Sequence, residues 1–549
     1  MKRDSQSAPR SAWLATLAIG LLAFLLAASR INHGITNSIL PAGPGLTPDE
    51  SFNVQQGVYL AEAFFRHGPL LLHPDVADEV FDDRVYLPDH PPLGRFFIGL
   101  THELTRGFIS GTANCPFNIL AARLASCAAF ALTVVLVYRF CRIRFDHVTA
   151  ITAAALLMFM PRVVGHARLA ALESTTGLMW WIATVALAAA TTDSERPGIR
   201  KSAFAGCAWG LLLLTKVQAI LFPPVVVIFL VARFRRNSIV PLIVFFSTGL
   251  LVGFLGWPWI WQDPWHHTLQ YLGHAADRQT LHVWYLGHRW LDKTAPWHYP
   301  LVMLWATTPL LASFGVAARA FQRRFTTAEG LLILTAIFPL IVFALPGVPV
   351  YDGVRLFLVA APATAVLSAR GLTLLWQSLS NNKARRHGPR QILKYGGLAL
   401  AAVLFLTDAA ATLSPYAISR YTAGVGCGPG AEQLQLESSY WADGLNADFW
   451  KQIPEGSKVF VAPVSHQFQL TDLENLVPVI QERSIRLSPF EYDSREQRGF
   501  LLLIHRLADL RPSLQSPPSG SEVLVTVESD GRVLAQLVDT THATWVERP

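Results

Sequence analysis

Four short stretches of this 549-residue chain set charged side chains where apolar runs begin or end. "GLTPDESFNV" (45–54) carries the adjacent carboxylates Asp49 and Glu50 just after the first apolar run. "LPDHPPLGRFF" (87–97) carries His90 and Arg95 around a Pro-Pro turn. "PRVVGHARLAALESTTG" (161–177) carries Arg168, and Glu173 at the start of an apolar run. "GVPVYDGVRLFLVAAP" (347–362) carries Arg355 at the start of another. A carboxylate can take a proton, and the arginine fork matches a phosphate. Acids from two elements and cations from three suit a reaction between a membrane-borne anionic donor and a neutral acceptor. The acid would accept the acceptor's proton; the cations would hold the leaving anion.

Each residue also has a structural reading. Thr47 is a good N-cap, Pro48 suits the first helical position, and Glu50 completes a T-x-x-E capping box. Phe52, Val54, Val58, Ala61 and Phe65 then follow at roughly helical spacing. On that stretch alone the acidic pair opens a helix. Arg95 can snorkel at a rigid turn, a reading that explains His90 beside Asp89 less well. Glu173 is a first-turn acid facing a helix dipole, or a costly carboxylate at membrane depth that marks a functional site. Arg355 is an interface anchor or a phosphate grip.

The elements that must position these groups are membrane spans. Hydrophobic residues make up 52% of the chain and charged ones 15%, against about 25% charged in an average soluble domain. Apolar runs fall at 12–29, 119–138, 147–161, 172–191, 202–215, 217–233, 239–257, 299–318, 329–346, 355–372 and 393–411, with 96–110 an amphipathic doubtful case. They predict a polytopic α-helical membrane protein with about 11 transmembrane helices. One set of loops holds Arg139, Arg142, Arg144; Arg196, Arg200, Lys201; Arg233, Arg235, Arg236; Arg319, Arg323, Arg324; and Lys383, Arg385, Arg386, Arg390. The opposite short loops hold only Arg162, Arg168, Lys216 and Arg355. That bias puts the first set in the cytoplasm, and with it the basic N-terminus, read as an uncleaved first span rather than a signal peptide. The loops 30–118 and 258–298 and the tail 412–549 then lie outside, in a multi-pass protein of the cell inner membrane. The net charge of +7 thus sets topology, and no nucleic-acid partner is expected.

Segment 258–298 is rich in Trp and Tyr, an interfacial belt that would also serve as a lid over a lipid-substrate groove. The tail changes character. "SKVFVAPV", "GFLLLIHR" and "SEVLVTVESDGRVLAQLVD" read as strands, the last as a hairpin, so 412–549 is expected to be a small extracytoplasmic α/β domain beside the 1–411 membrane domain. Five cysteines show no metal spacing; a disulfide between Cys115 and Cys427 is left open. Asp49, Glu173 and histidines of 266–298 (His266, His267, His274, His282, His288, His298) offer metal ligands, but no pair has a convincing metal spacing. No cofactor is expected and a divalent metal is not favoured.

The motifs resemble those of the glycosyltransferase-C superfamily, in the branch of protein O-mannosyltransferases and lipid A aminoarabinose transferases. "PDES" resembles the family's first-loop Asp-Glu motif, "HPPLGR" is similar to "HPPLGK", and "ARLAALES" to an R-x-x-x-L-D-S segment, in the family's order. The likeness spans roughly 12–370 and is best in the first half. It implies a polyprenyl-phosphate-linked sugar as donor and a lipid, glycan or protein acceptor outside the membrane. It implies Asp49 as base or acceptor-orienting group, supported by Glu50. Glu173 corresponds to a second acid, where the family has Asp. The donor phosphate would fall to His90, Arg95, Arg168 and Arg355, with Lys216 a further candidate. The expected function is inverting transfer of a hexose-type sugar. The rivals are a transporter or flippase of a lipid-linked substrate, and a lipid-binding scaffold without activity.

Overall fold

The structure, a computed structural model, describes residues 10–109, 112, 114–192, 197–276, 279–322, 324–380, 389–464, 466–492 and 497–544. The expected cytoplasmic residues Arg196, Arg323, Lys383, Arg385 and Arg386 lie outside the described residues, as do the N-terminal stretch 1–9 and the side chains of His274 and Arg390.

Every apolar run carries helix, from Arg10–Ala28 to Pro389–Leu413. Four stretches, Ile119–Arg144, Val217–Leu255, Arg355–Ser380 and Tyr395–Leu413, are long and apolar enough to cross a bilayer, or up to six if two bent pairs each count as one span. The chain is therefore a mostly helical membrane protein; among the described residues four to six helices meet that length and composition, with Trp13–Ala28 and Thr327–Phe343 shorter apolar helices, where the apolar runs predict about 11. Prolines explain the bends. The pair His147–Met158 and Pro161–Ala167 turns by 66°, and the pair Tyr299–Thr307 and Leu310–Ala320 by 117°, each at a break that a proline (Pro161, Pro309) ends. Leu398, Leu400, Val403 and Leu406 are exposed along the last helix, which suits a lipid-facing surface.

The doubtful run is a helix, Pro92–Thr105, packed across Pro48–His67. The crossing is close because Gly57 and Gly99 meet there: a Cβ on either would collide with the other helix's backbone.

The aromatic segment forms a short hairpin, β1 (His282–Tyr285) and β2 (His288–Leu291), turning at Leu286 and Gly287 with positive φ. Its rings divide: Trp259 and Tyr285 are core, whereas Trp265 and Trp297 are exposed. The tail holds the expected strands β3 (Lys458–Ala462), β5 (Phe500–Ile504), β6 (Glu522–Ser529) and β7 (Arg532–Asp539), plus the short β4 (Arg486–Pro489). Sheet order is β4-β3-β5-β7-β6, with β3 parallel to both neighbours and the rest antiparallel. Cys115 and Cys427 are both free, so the disulfide left open above is not formed.

The tail's core is not sealed off. Leu46, Val54 and Val58 of segment 30–118 share one apolar cluster with Phe449, Trp450, Val459, Leu470 and Leu502 of the tail. Hydrogen bonds cross the same seam. The backbone N–H of Val479 donates to Gly34 O (3.0 Å), and that of Gly45 to Asp443 O (2.9 Å). The tail is thus clamped to the loop that carries Asp49.

Candidate active site

Three helix starts aim their first turns at one point. Asp49 lies in the first turn of Pro48–His67, Glu173 in that of Leu172–Thr191, and Arg355 opens the 3-10 turn Arg355–Ala360. The Arg355 guanidinium joins them: Nη2 donates to Asp49 Oδ2, and Nε donates to Glu173 Oε1 at 2.6 Å. Lys216 Nζ donates to the same Glu173 oxygen at 2.6 Å. The side chains differ sharply in exposure. Asp49 keeps 44% of its surface, Arg355 9% and Glu173 2%. Asp49 is the carboxylate an outside molecule can reach.

Two further residues enter the cluster. Asp352 Oδ2 accepts from Arg355 Nη1 (3.1 Å), and its Oδ1 accepts from Arg506 of the tail (2.7 Å). Trp441 Nε1 also donates to Asp352, at 3.3 Å. The turn here needs two left-handed residues, Asp352 (φ 55°) and Gly353 (φ 68°), which Asp tolerates and Gly adopts freely. Burial alone would raise the Asp352 carboxyl, but Arg506 first, and then Arg355, hold it below its ordinary value. Sequence reasoning missed this half of the site. Asp352 precedes Arg355 by three residues in "YDGVR", a signal that was legible; Arg506 and Trp441 carry no local mark.

Glu50 faces the other way. Its two oxygens accept from Arg123 Nε and Nη2, both at 2.7 Å, and neither side chain has any exposed surface. Glu50 also accepts from the N–H groups of Thr47 (3.0 Å) and Ala170 (2.8 Å). Burial pushes this carboxyl up, but the Arg123 charge and these hydrogen bonds outweigh it and leave it low. Of the two roles the sequence offers Glu50, support of Asp49 or helix cap, the structure has the capping box, built on a buried strut. That strut ties the element bearing Asp49 to the one bearing Glu173.

Two predicted phosphate ligands are already engaged. Arg95 binds Asp89 through both outer nitrogens (2.6 and 3.0 Å) and Leu87 O (3.0 Å), so it fixes the turn that carries His90. Arg168 donates to Ser414 O (2.7 Å) and Thr412 O (2.9 Å), satisfying carbonyls at a helix C-terminus away from Asp49's partners. His90 is half-buried beside the cluster. Burial first, then the cations Arg95, Lys216 and Arg355, outweigh the pull of Asp89 and push its imidazole down to about 3, so it is neutral at pH 7.

Arg506 lines two clefts. One runs from Thr47 and Pro48 past Trp441 to Leu470 and Ile504. The other is lined by Arg162, His282, Trp284, Asp352 and Tyr440. Among the described residues no group of three His, Cys, Asp or Glu side chains could hold a metal ion.

Residues 89–261 match the family model described as dolichyl-phosphate-mannose-protein mannosyltransferase. That description is of the protein O-mannosyltransferase branch that the motifs resemble, and the match is confined to residues 89–261. No curated protein matches the chain. Among solved structures it is similar to ArnT from Cupriavidus metallidurans bound to undecaprenyl phosphate, with a TM-score of 0.49, 13% identity, and 96% of this chain and 98% of that one covered. It is also similar to the Archaeoglobus fulgidus oligosaccharyltransferase AglB in complex with an inhibitory peptide and a dolichol-phosphate (TM-score 0.45, 13% identity, 91% and 70% covered). A third is the S. cerevisiae protein O-mannosyltransferase Pmt1-Pmt2 complex bound to the sugar donor (TM-score 0.34, 11% identity, 51% and 39% covered).

Proposed function

We propose that this chain transfers a hexose-type sugar from a polyprenyl-phosphate donor to the hydroxyl of an extracytoplasmic lipid, glycan or protein, with inversion. The observation that carries this reading is the convergence on Arg355 of two acids from distant segments, Glu173 sealed and Asp49 open. The description of the matched family favours a mannose-type donor. The protein sits in the inner membrane with its N-terminus cytoplasmic and its tail outside.

The acceptor oxygen attacks the anomeric carbon as the bond from that carbon to the phosphate oxygen breaks. Asp49 takes the hydroxyl proton, and the polyprenyl phosphate leaves as an anion. A phosphate needs no strong acid to leave, so the protein's task is to neutralise it. In the resting arrangement Arg355 is shared between Asp49 and Glu173. An arriving phosphate draws Nη2 from Asp49, which frees that carboxylate to act as base. Glu173 keeps Arg355 Nε and Lys216 aimed at the leaving group. Neutral His90 offers a nitrogen without a partner among the described residues, on the turn that Arg95 fixes. Glu50 and Arg168 hold the frame. The scheme uses no metal.

The test is transfer from a radiolabelled polyprenyl-phosphate sugar by the purified protein in vesicles. Asp49→Asn should lose about 10²–10⁴-fold in rate while remaining folded. A folded Asp49→Asn protein with full activity would overturn the assignment of the base. Translocation of the donor without transfer would overturn the enzyme reading.

A further inference from the structure

The cluster around Arg355 is more acidic than its own loops can neutralise. Asp49, Glu173 and Asp352 all lie on that one guanidinium, and the membrane domain answers with Arg355 and Lys216. Three carboxylates against two cations would repel an incoming phosphate. The third cation comes from the tail, more than 150 residues further on: Arg506, which follows β5 and meets Asp352 at 2.7 Å. Its side chain is nearly buried, held by Asp509 through Nε (2.7 Å) and laid 4.0 Å over the Trp441 ring. Trp441 in turn donates to Asp352, so two tail residues converge on that carboxylate.

Resting on the reading of Arg355 as the phosphate grip, we propose that Arg506 is a positioning residue of the donor site. It draws Asp352 away from full engagement with Arg355, supplies a cation that Asp352 would otherwise take from Arg355, and leaves the Arg355 fork free to turn to an anion. The tail is thereby part of the active site, and its role is electrostatic. An Asp352 without Arg506 would pair with Arg355 alone, and Arg355 would be pinned by three acids.

The experiment measures binding of undecaprenyl phosphate to the full-length protein in detergent, apart from any transfer. Arg506→Ala should bind on the order of tenfold or more weakly, because one uncompensated charge several ångströms away in a partly buried site acts on that scale. Arg506→Lys should recover part of the loss. The deciding arm is Arg506→Ala combined with Asp352→Asn. Removing the acid that Arg506 neutralises should restore binding towards the wild-type value, and a purely structural arginine would show no such rescue. Undiminished binding by Arg506→Ala, or a double variant no better than the single one, overturns the proposal. If the wild-type protein binds no undecaprenyl phosphate at all, the donor reading of Arg355 falls first, and this inference falls with it.

Discussion

Two helices of this chain begin with the same device. At Pro48–His67, Thr47 and Glu50 form a capping box and Arg123 binds both Glu50 oxygens. At Thr327–Phe343, Thr326 and Glu329 form the box and Arg319 binds both oxygens, at 2.7 and 2.9 Å. The difference lies in reach. Arg319 and its partners all fall between residues 319 and 329. Arg123 also gathers the carbonyls of Ile31, Pro44 and Gly45, and Glu50 accepts from Ala170. One motif locks a local turn, with Arg370 a looser partner 3.7 Å from Glu329; the other locks four remote segments together, with Asp49 on one of them. The comparison teaches that the same capping box can serve one turn or, through a buried arginine, hold several segments around an exposed aspartate.

Arg123→Ala should break the comparison most severely. It leaves Glu50 charged and unpaired in a sealed site, with three carbonyls orphaned, at a cost of about 3–5 kcal/mol. That is a large part of a typical folding free energy, so little folded protein should accumulate in membranes. Normal accumulation and thermal stability would show that the node holds nothing together. Arg319→Ala should cost less, about 1–3 kcal/mol, because its partners are local and Arg370, 3.7 Å from Glu329, still offsets that charge. Its lowered unfolding midpoint should come with an unchanged transfer rate per folded molecule. A rate that falls in step with Arg123→Ala would erase the distinction between the nodes. Arg355→Lys should leave the fold intact, since charge is kept. Donor binding should weaken about tenfold, since a point charge replaces a fork; equal affinity would mean that the fork geometry is idle.

These nodes also mark what the sequence could disclose. The helix start at Pro48, the Pro-Pro turn and the acid at position 173 are local patterns, and each stands where expected. The strands of the tail were legible because alternation and the Asp530-Gly531 turn are local as well. The division of labour between Asp49 and Glu50 was not. It depends on which way each side chain points from a helix start, and so on Arg123, more than 70 residues away. Arg168 and Arg95 looked like phosphate ligands because charge at a membrane boundary is ambiguous. Only their partners, the carbonyls of 412–414 and Asp89, reveal where their donors go. Arg506 had no signal of any kind, since its meaning comes from a contact with Asp352 across the tail's seam.

The smallest expected effect separates Glu50 from an ordinary surface acid by titration. Its folded carboxyl lies below its usual value of 4.5, and so the unfolded chain binds the proton more readily. The stability that Glu50 contributes is therefore complete above pH 4.5 and drains away as pH falls through the lower folded value. Only the upper part of that window can be sampled before other carboxylates titrate, so the expected slope is shallow. Glu50→Gln should start from a lower unfolding midpoint at pH 7 and lose less of it between pH 5 and 4 than the wild type does, measured as thermal unfolding in detergent. Parallel curves would mean that Glu50 titrates alike in both states. The pair with Arg123 would then be a contact without a thermodynamic consequence, and the contrast with Asp49 would rest on exposure alone.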